Sequence, residues 1–397
     1  MKKNKLLIFL FLILFSNSFF SQWVQTYGPA GQMVLSLAVK GNKLYAGTSN
    51  GNGLGTVYMT LDSGTTWTSM GNGLPNINIS SLAVSGNKIF AGTNPGGSDP
   101  AEVYYSGDSA STWTSISTGL NISTVVEAIV IKDTFLFVGG GGLSRSTNNG
   151  ATWITLLTGQ HIHTLIFNGT DLFAGTHSGG VFKSSDYGAN WTTANVGLPS
   201  APVQTFCIKS GKIFAGTGYA TYVSNDNGGS WASCGGSDIQ EIFANDSILI
   251  RYGNYSGIQR SFNDGVTWVN INWGLYGHPV YCFNSIANNI FAGTDHNVYR
   301  SQTNLLTEIS NLSEIENSST IYPNPFSSNA TIEINGKVSH ENIEISIYNF
   351  VGKEIKKLNN ISGRKINLDR ADLSNGIYFY RLIKNDYSFA SGKFIIE

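Results

Sequence analysis

An all-β chain is predicted by three features of the 397-residue sequence. Gly (46), Tyr (18) and Phe (22) are abundant while only 12% of residues are charged, a pentapeptide typified by Leu44-Tyr45-Ala46-Gly47-Thr48 recurs seven times, and an octet ending in Trp recurs six times in phase with it. Gly and aromatic residues favour tight turns and pleated strands over helix. Repeats spaced 36 to 47 residues apart suit a unit of four short strands, which cannot bury both faces alone and must pack against its neighbours around an axis. The expected architecture is a seven-bladed β-propeller closed by an N-terminal strand, followed by a small C-terminal β-sandwich.

The chain begins with a targeting segment. Lys2, Lys3 and Lys5 precede an apolar run from Leu6 to Phe15, and Ser16 to Ser21 supply a small-residue exit. That run is too short for a permanent span, so residues 1–21 read as a cleaved secretory signal, with no transmembrane segment expected in the mature protein. A net charge of -1 gives no electrostatic case for nucleic acid. Cys207, Cys234 and Cys282 form neither a disulfide framework nor a metal-binding pattern.

Residues 22–303 hold the repeat. The pentapeptide returns at 89–93, 136–140, 172–176, 213–217 and 290–294, with a degraded copy at 249–253. In the second unit strands are expected at 79–84, 88–93, 103–106 and 112–116. The seventh unit lacks its Trp strand after 290–294, whereas Gln22-Trp23-Val24-Gln25-Thr26-Tyr27-Gly28 aligns with Trp strands such as Trp67-Thr68-Ser69-Met70-Gly71. The N-terminus is therefore expected to supply the outer strand of that unit.

The octets run TLDSGTTW (60–67), SGDSASTW (106–113), STNNGATW (146–153), SSDYGANW (184–191), SNDNGGSW (224–231) and SFNDGVTW (261–268). They resemble the Asp-box, S-x-D-x-G-x-x-W, of sialidases, sortilin-type receptors and xyloglucanases. Their third residues are Asp62, Asp108, Asn148, Asp186, Asp226 and Asn263. Asn keeps the acceptor oxygen without the charge or basicity, so the position calls for an acceptor rather than a catalytic carboxylate. A structural Asx-type turn is expected, with Gly64, Gly150, Gly188, Gly228 and Gly265 supplying backbone freedom and Ala110 the exception.

Function is sought in what the repeats do not share. Trp273 alone of the 8 Trp residues lies outside the repeat column. With Tyr276, Tyr281, Tyr255 and Tyr219 it forms the expected ligand-binding set, a stacking surface for a glycan or peptide. Carboxylates outside the repeat turns are Asp99, Glu102, Glu127, Asp238, Glu241 and Asp295. Glycoside hydrolysis needs two carboxyls about 5 to 10 Å apart, and Glu127 and Glu241 are the weak catalytic candidates for it. Arg145, Arg260 and Arg300 fall in one repeat column around the ring, which argues against the three converging arginines of a sialidase. His161, His163, His177, His278 and His296 fall near the loop face, on units four and seven far apart in the ring, so no metal site and no cofactor are expected. A non-enzymatic surface binder of a glycan, peptide or envelope component is the favoured reading. A sialidase- or xyloglucanase-like glycoside hydrolase is the alternative, and a scaffold the third.

Composition changes at residues 304–320, rich in Asn, Ser and Glu, which read as a linker. Short alternating strands follow in residues 321–397. Ile321-Tyr322-Pro323-Asn324-Pro325-Phe326, Tyr348-Asn349-Phe350-Val351-Gly352-Lys353, Gly376-Ile377-Tyr378 and the terminal Lys393-Phe394-Ile395-Ile396-Glu397 resemble the C-terminal sorting domain of the type IX secretion system of Bacteroidetes. The resemblance implies the type IX machinery as the partner of residues 321–397, and a secreted or outer-membrane surface location. Asn349 and Phe350 depart from the commoner Asp-x pair before Gly, with no consequence expected for a β fold.

Overall fold

The computed structural model describes residues 22–97, 99–275, 277–301, 319–334, 342–349, 354–371, 373–384 and 387–397. The signal segment 1–21, nearly all of the 304–320 linker, residues 350–353 and Tyr276 lie outside them. The chain divides into two compact units after Thr307. Every regular element among the described residues is a β-strand.

The first unit consists of seven four-stranded antiparallel sheets, numbered 1 to 7 in chain order. Their innermost strands are Met33–Lys40, Asn78–Ser85, Val126–Lys132, Ile162–Asn168, Val203–Lys209, Ile239–Ala244 and Val280–Ile286. Each of these contacts the innermost strand of the next sheet, and Val280–Ile286 returns to Met33–Lys40, so the sheets form a closed ring. In the seventh sheet the outer strand comes from the other end of the sequence. Trp23–Gln25 pairs antiparallel with Val298–Ser301, Trp23 opposite Ser301 and Gln25 opposite Tyr299. The fourth strand is shorter than the sequence pattern implies: in sheet 2 it spans only Thr114–Ser115, because Thr112 is taken by the octet turn.

The pentapeptide builds the core and the spacing between sheets. Its second residue is fully buried in all seven copies, as Tyr45, Phe90, Phe137, Phe173, Phe214, Ile250 and Phe291. Its Gly admits the next sheet. A Cβ at Gly47 would stand 2.7 Å from Ile79 Cγ2, one at Gly92 2.3 Å from Val126 Cγ1, and one at Gly293 2.8 Å from Val34 Cγ1. The same contact thus recurs from sheet to sheet and closes between the last and the first. Sheet 6 departs from it, with Tyr252 at the glycine position opposite Glu241.

The octets form hairpin turns locked by their third residue. Asp62 Oδ1 accepts from Thr60 Oγ1 (2.8 Å) and Thr66 N (2.8 Å), and Oδ2 accepts from Thr66 Oγ1 (2.7 Å). Asn148 Oδ1 accepts from Ser146 Oγ and Thr152 N at 2.9 Å each, while its amide donates to Thr152 Oγ1. Asp108, Asp186 and Asp226 repeat the first pattern, and Asn263 the second. Hydrogen bonds from the residue four positions on hold the four aspartates down at about 2. Gly150 and Gly228 take φ of 88° and 83°, and Ala110 takes 72° without a glycine's freedom.

Four of the six octets also tie sheet to sheet. Nε1 of Trp113, Trp153, Trp231 and Trp268 donates to a carbonyl of the preceding sheet, at Met70 (2.7 Å), Ile116 (2.8 Å), Ala194 (2.8 Å) and Cys234 (3.1 Å). Trp23 does the same to Ile271 O at 2.7 Å. These five tryptophans therefore reach outside their own sheets, whereas Trp191 Nε1 donates to Gly188 O at 3.0 Å within its own octet turn. Arg145 and Arg300 work in the opposite direction, donating to Tyr187 O and Ser63 O in the turns of the following sheets.

The second unit has a three-stranded sheet of Ser319–Tyr322, Asn329–Ile334 and Lys365–Asp369. Its other sheet is four-stranded, in the order Glu354–Ile361, Ile343–Asn349, Gly376–Lys384 and Tyr387–Ile396. Ile332, Ile345, Leu382 and Phe394 from both sheets are fully buried in a single core.

Candidate functional site

The innermost strands surround a channel of about 610 Å³. Each carries a one-residue irregularity at the same place, after Val34, Ile79, Val126, Ile162, Val203, Ile239 and Val280. Such a bulge re-aims a side chain relative to the regular pleat. The bulged residues are Leu35, Ser80, Glu127, His163, Gln204, Gln240 and Tyr281, and all of them line the channel. Within a repeat whose other columns hold Gly, aromatic or Trp residues, this column carries a different chemistry in almost every sheet. It was missed in the sequence although a signal existed. Each of these residues stands twelve positions ahead of the pentapeptide's fourth residue, Leu35 before Gly47 and Tyr281 before Gly293 alike.

Glu127 and His163 occupy this column in neighbouring sheets, and the ring brings them together. His163 Nδ1 lies 2.5 Å from Glu127 Oε2, and His161 Nε2 lies 2.8 Å from Oε1. His163 Nε2 faces His177 Nδ1 at 3.2 Å. A backbone bond from His177 N to His161 O (3.0 Å) fixes the loop that carries His177. Burial raises the Glu127 carboxyl, but hydrogen bonds from His163 and His161 outweigh it and hold the group below the usual carboxylate range. A second group forms in sheet 7, where Asp295 lies 2.8 Å from His278 Nδ1 and 3.0 Å from His296 Nδ1. The histidines are thus not isolated on separated units as the sequence suggested. The distance between sheets 4 and 7 is irrelevant, because the sheet 4 histidines take Glu127 of sheet 3 and those of sheet 7 take Asp295.

Glu241 lies next to the bulge of sheet 6 and also lines the channel. Desolvation pushes its carboxyl up to about 8, only partly offset by hydrogen bonds from the Thr205 side chain and the backbone of Phe283 and Ile242. The ordinary value is 4.5, so between 4.5 and 8 the folded chain holds a proton that the unfolded chain releases. Stability from this group is present below pH 4.5 and is lost as pH rises through about 8. Glu241→Gln, which keeps the neutral shape, should melt above wild type at pH 9 and with it at pH 4. Equal differences at both pH values would refute the assignment.

The expected ligand-binding residues, Tyr276 aside, stand on different elements of the ring. Tyr281 lines the channel. Tyr219 and Tyr255 are highly exposed in the second-to-third connections of sheets 5 and 6. Trp273 is 44% exposed, and its carbonyl accepts Trp23 N–H at 3.0 Å. That places it beside the outermost strand, and it is not among the described residues that line the channel. Of the other carboxylates, Glu102 accepts the hydroxyl of Tyr104, and Asp238 accepts from Gln240 and Asn254.

Two family models match parts of the chain. Residues 83–213 match the DUF6242 β-propeller domain, and residues 320–397 the secretion-system C-terminal sorting domain. The chain carries a β-propeller domain and a type IX sorting tail. The tail marks it as a secreted or cell-surface protein. No helix among the described residues is long and apolar enough to cross a membrane.

Among solved structures, the GH74 xyloglucanase from Xanthomonas campestris is similar with a TM-score of 0.58 at 12% identity, over 94% of this chain and 75% of that one. A catalytically inactive virginiamycin B lyase from Staphylococcus aureus, solved with quinupristin, gives 0.57 at 11%, over 70% and 97%. The WD40 β-propeller domain of Doa1 gives 0.54 at 10%, over 71% and 97%. At these identities the likeness is one of fold alone. None of the curated proteins compared matches the chain.

Proposed function

We propose that this chain is a secreted or cell-surface binding protein. In this reading a seven-bladed Asp-box β-propeller, closed by its N-terminal strand, holds a glycan, peptide or envelope component at one mouth of its channel, and a β-sandwich tail delivers it by type IX secretion. The observation that carries the reading is the bulge column. Repeat positions that build the fold are uniform, whereas Glu127, His163, Gln204, Gln240 and Tyr281 place acidic, imidazole, amide and phenol groups side by side. Concave sites with a few convergent polar groups and an aromatic wall are the usual form of ligand sites. Exposed Trp273, Tyr219 and Tyr255 extend the apolar surface in the connections. Glycan- and peptide-array binding tests it: Tyr281→Ala with Gln240→Ala should weaken the captured ligand at least tenfold. Unchanged binding by that variant removes the channel from the reading.

One observation favours a glycoside hydrolase as the second reading. Glu127 is held ionised while Glu241 keeps its proton up to about 8, the division between base and acid that such enzymes use. Against it, both oxygens of Glu127 are already engaged by histidines, and Glu241 belongs to sheet 6 while Glu127 belongs to sheet 3. Sugar release from xyloglucan or sialosides, abolished by Glu127→Gln or Glu241→Gln, would establish this reading over the first.

A further inference from the structure

We infer that Glu127, His161 and His163 form a binding site for a divalent transition-metal cation of the zinc class at the channel mouth. The site goes beyond the binding reading above and does not depend on it. Its three ligand atoms lie within 4.8 Å of one another, and the carboxylate sits 2.8 and 2.5 Å from the two imidazole nitrogens. Ligands of a tetrahedral cation, each about 2.0–2.1 Å from it, stand about 3.3 Å apart. A cation taking the place of the shared protons therefore requires only small side-chain rotations.

Two imidazoles and one carboxylate are the donor set that borderline cations prefer, whereas magnesium and calcium prefer oxygen alone. Three protein ligands leave a coordination position for water or for an oxygen of a bound ligand. The outer contacts also fit. With Nδ1 on the metal, His163 carries its proton on Nε2, which faces His177 Nδ1 at 3.2 Å. His177 then acts as a positioning residue that fixes ring orientation and tautomer. A bond from His177 N to the carbonyl of His161 holds that partner in place.

Position in the ring explains why this chemistry occurs where it does. Glu127 and His163 share one column in adjacent sheets, and His161 stands two residues earlier, just before the strand Ile162–Asn168 that bears His163. The same column elsewhere offers Leu35, Ser80, Gln204, Gln240 and Tyr281, none of which supplies a carboxylate or imidazole. The group in sheet 7, His278, Asp295 and His296, is the natural comparison. All its members come from one sheet, and His296 is 67% exposed, so it is the weaker cage.

The test is calorimetric titration of untagged residues 22–397 with zinc chloride in chelator-stripped buffer at neutral pH, with magnesium chloride alongside. Wild type should bind zinc and not magnesium. His161→Ala/His163→Ala should lose the site, Glu127→Gln should weaken it at least tenfold, and His278→Ala/His296→Ala should retain it. Should the double alanine variant fail to fold, the near-isosteric Glu127→Gln decides, because the rise in melting temperature produced by zinc must shrink in it. Zinc binding of unchanged affinity in His161→Ala/His163→Ala or in Glu127→Gln, or no zinc binding by wild type, overturns the proposal and leaves the cluster as hydrogen-bonded pairs.

Discussion

Trp23→Ala will lower the melting temperature of the ring by roughly 6–10 °C, taking about 3–5 kcal/mol for a large buried aromatic side chain and about 2 °C per kcal/mol for a unit of this size. Trp23 is 1% exposed and packs with Ile248, Ile250, Ile271, Leu275, Phe283 and Tyr299 of sheets 6 and 7. Its indole N–H also satisfies Ile271 O, which the substitution would leave buried and unpaired. Deleting residues 22–27 should do more. That removes the ladder to Tyr299, Arg300 and Ser301 and the bonds from Thr26 to Val298 O, and it bares the edge of the strand Val298–Ser301. Trp273→Ala is the control, because that residue is 44% exposed and its backbone carbonyl, which accepts Trp23 N–H, is kept in the variant. A Trp23→Ala protein that melts with wild type would show that the ring does not rely on its N-terminal strand.

The repeat made the architecture legible because its invariant residues carry the packing. Gly47, Gly92 and Gly293 mark places where the next sheet comes within van der Waals contact, so substitution there is sterically forbidden and the motif survives. The octet was legible for the same reason. Asn148 and Asn263 act out the chemical test of the turn, using one oxygen as acceptor where Asp62 and Asp186 use two. The Trp column also acts between sheets, since four of the six octet indoles meet a carbonyl about one repeat earlier in the chain.

The channel was harder to read because a bulge breaks the two-residue period of a strand, so side-chain direction cannot be counted past it. Glu127 and His163 stand at those breaks, and only the packing of sheet 3 against sheet 4 makes the two neighbours. Trp273 attracted notice by standing outside the repeat. Its backbone carbonyl also receives the closing strand. In sheet 6 the degraded pentapeptide places Tyr252 where other sheets have Gly, opposite Glu241. Loss of the spacer and gain of a half-buried acid therefore occur at one rung. A departure from a repeat marks a place where packing is altered, and packing must be accounted for before function is assigned.

Deleting residues 319–397 will leave a folded ring that accumulates in the periplasm instead of reaching the cell surface or medium. Each unit draws its core from its own strands, Phe326 to Ile396 in the tail and Trp23 to Tyr299 across the ring, so the melting temperature of the ring should not fall with the tail removed. Deleting only residues 393–397 should abolish delivery equally well. That cut takes Phe394 and Ile396, both buried, out of the tail core. It also removes the partners of Asn324, which donates to Lys393 O at 3.0 Å and accepts from Ile395 N at 2.9 Å. These bonds give the Tyr-Pro-Asn-Pro motif a physical role, since they clamp the last strand while Phe326 exchanges backbone bonds with Ile395 and Glu397. Asn324→Ala, losing about 1 kcal/mol for two exposed bonds, should reduce surface yield by a smaller amount than either deletion. Fractionation with antibody against the ring measures all three. Normal surface delivery of the chain lacking 319–397 would defeat the assignment of export to the tail, and normal delivery of the 393–397 deletion alone would show that recognition does not require the folded core.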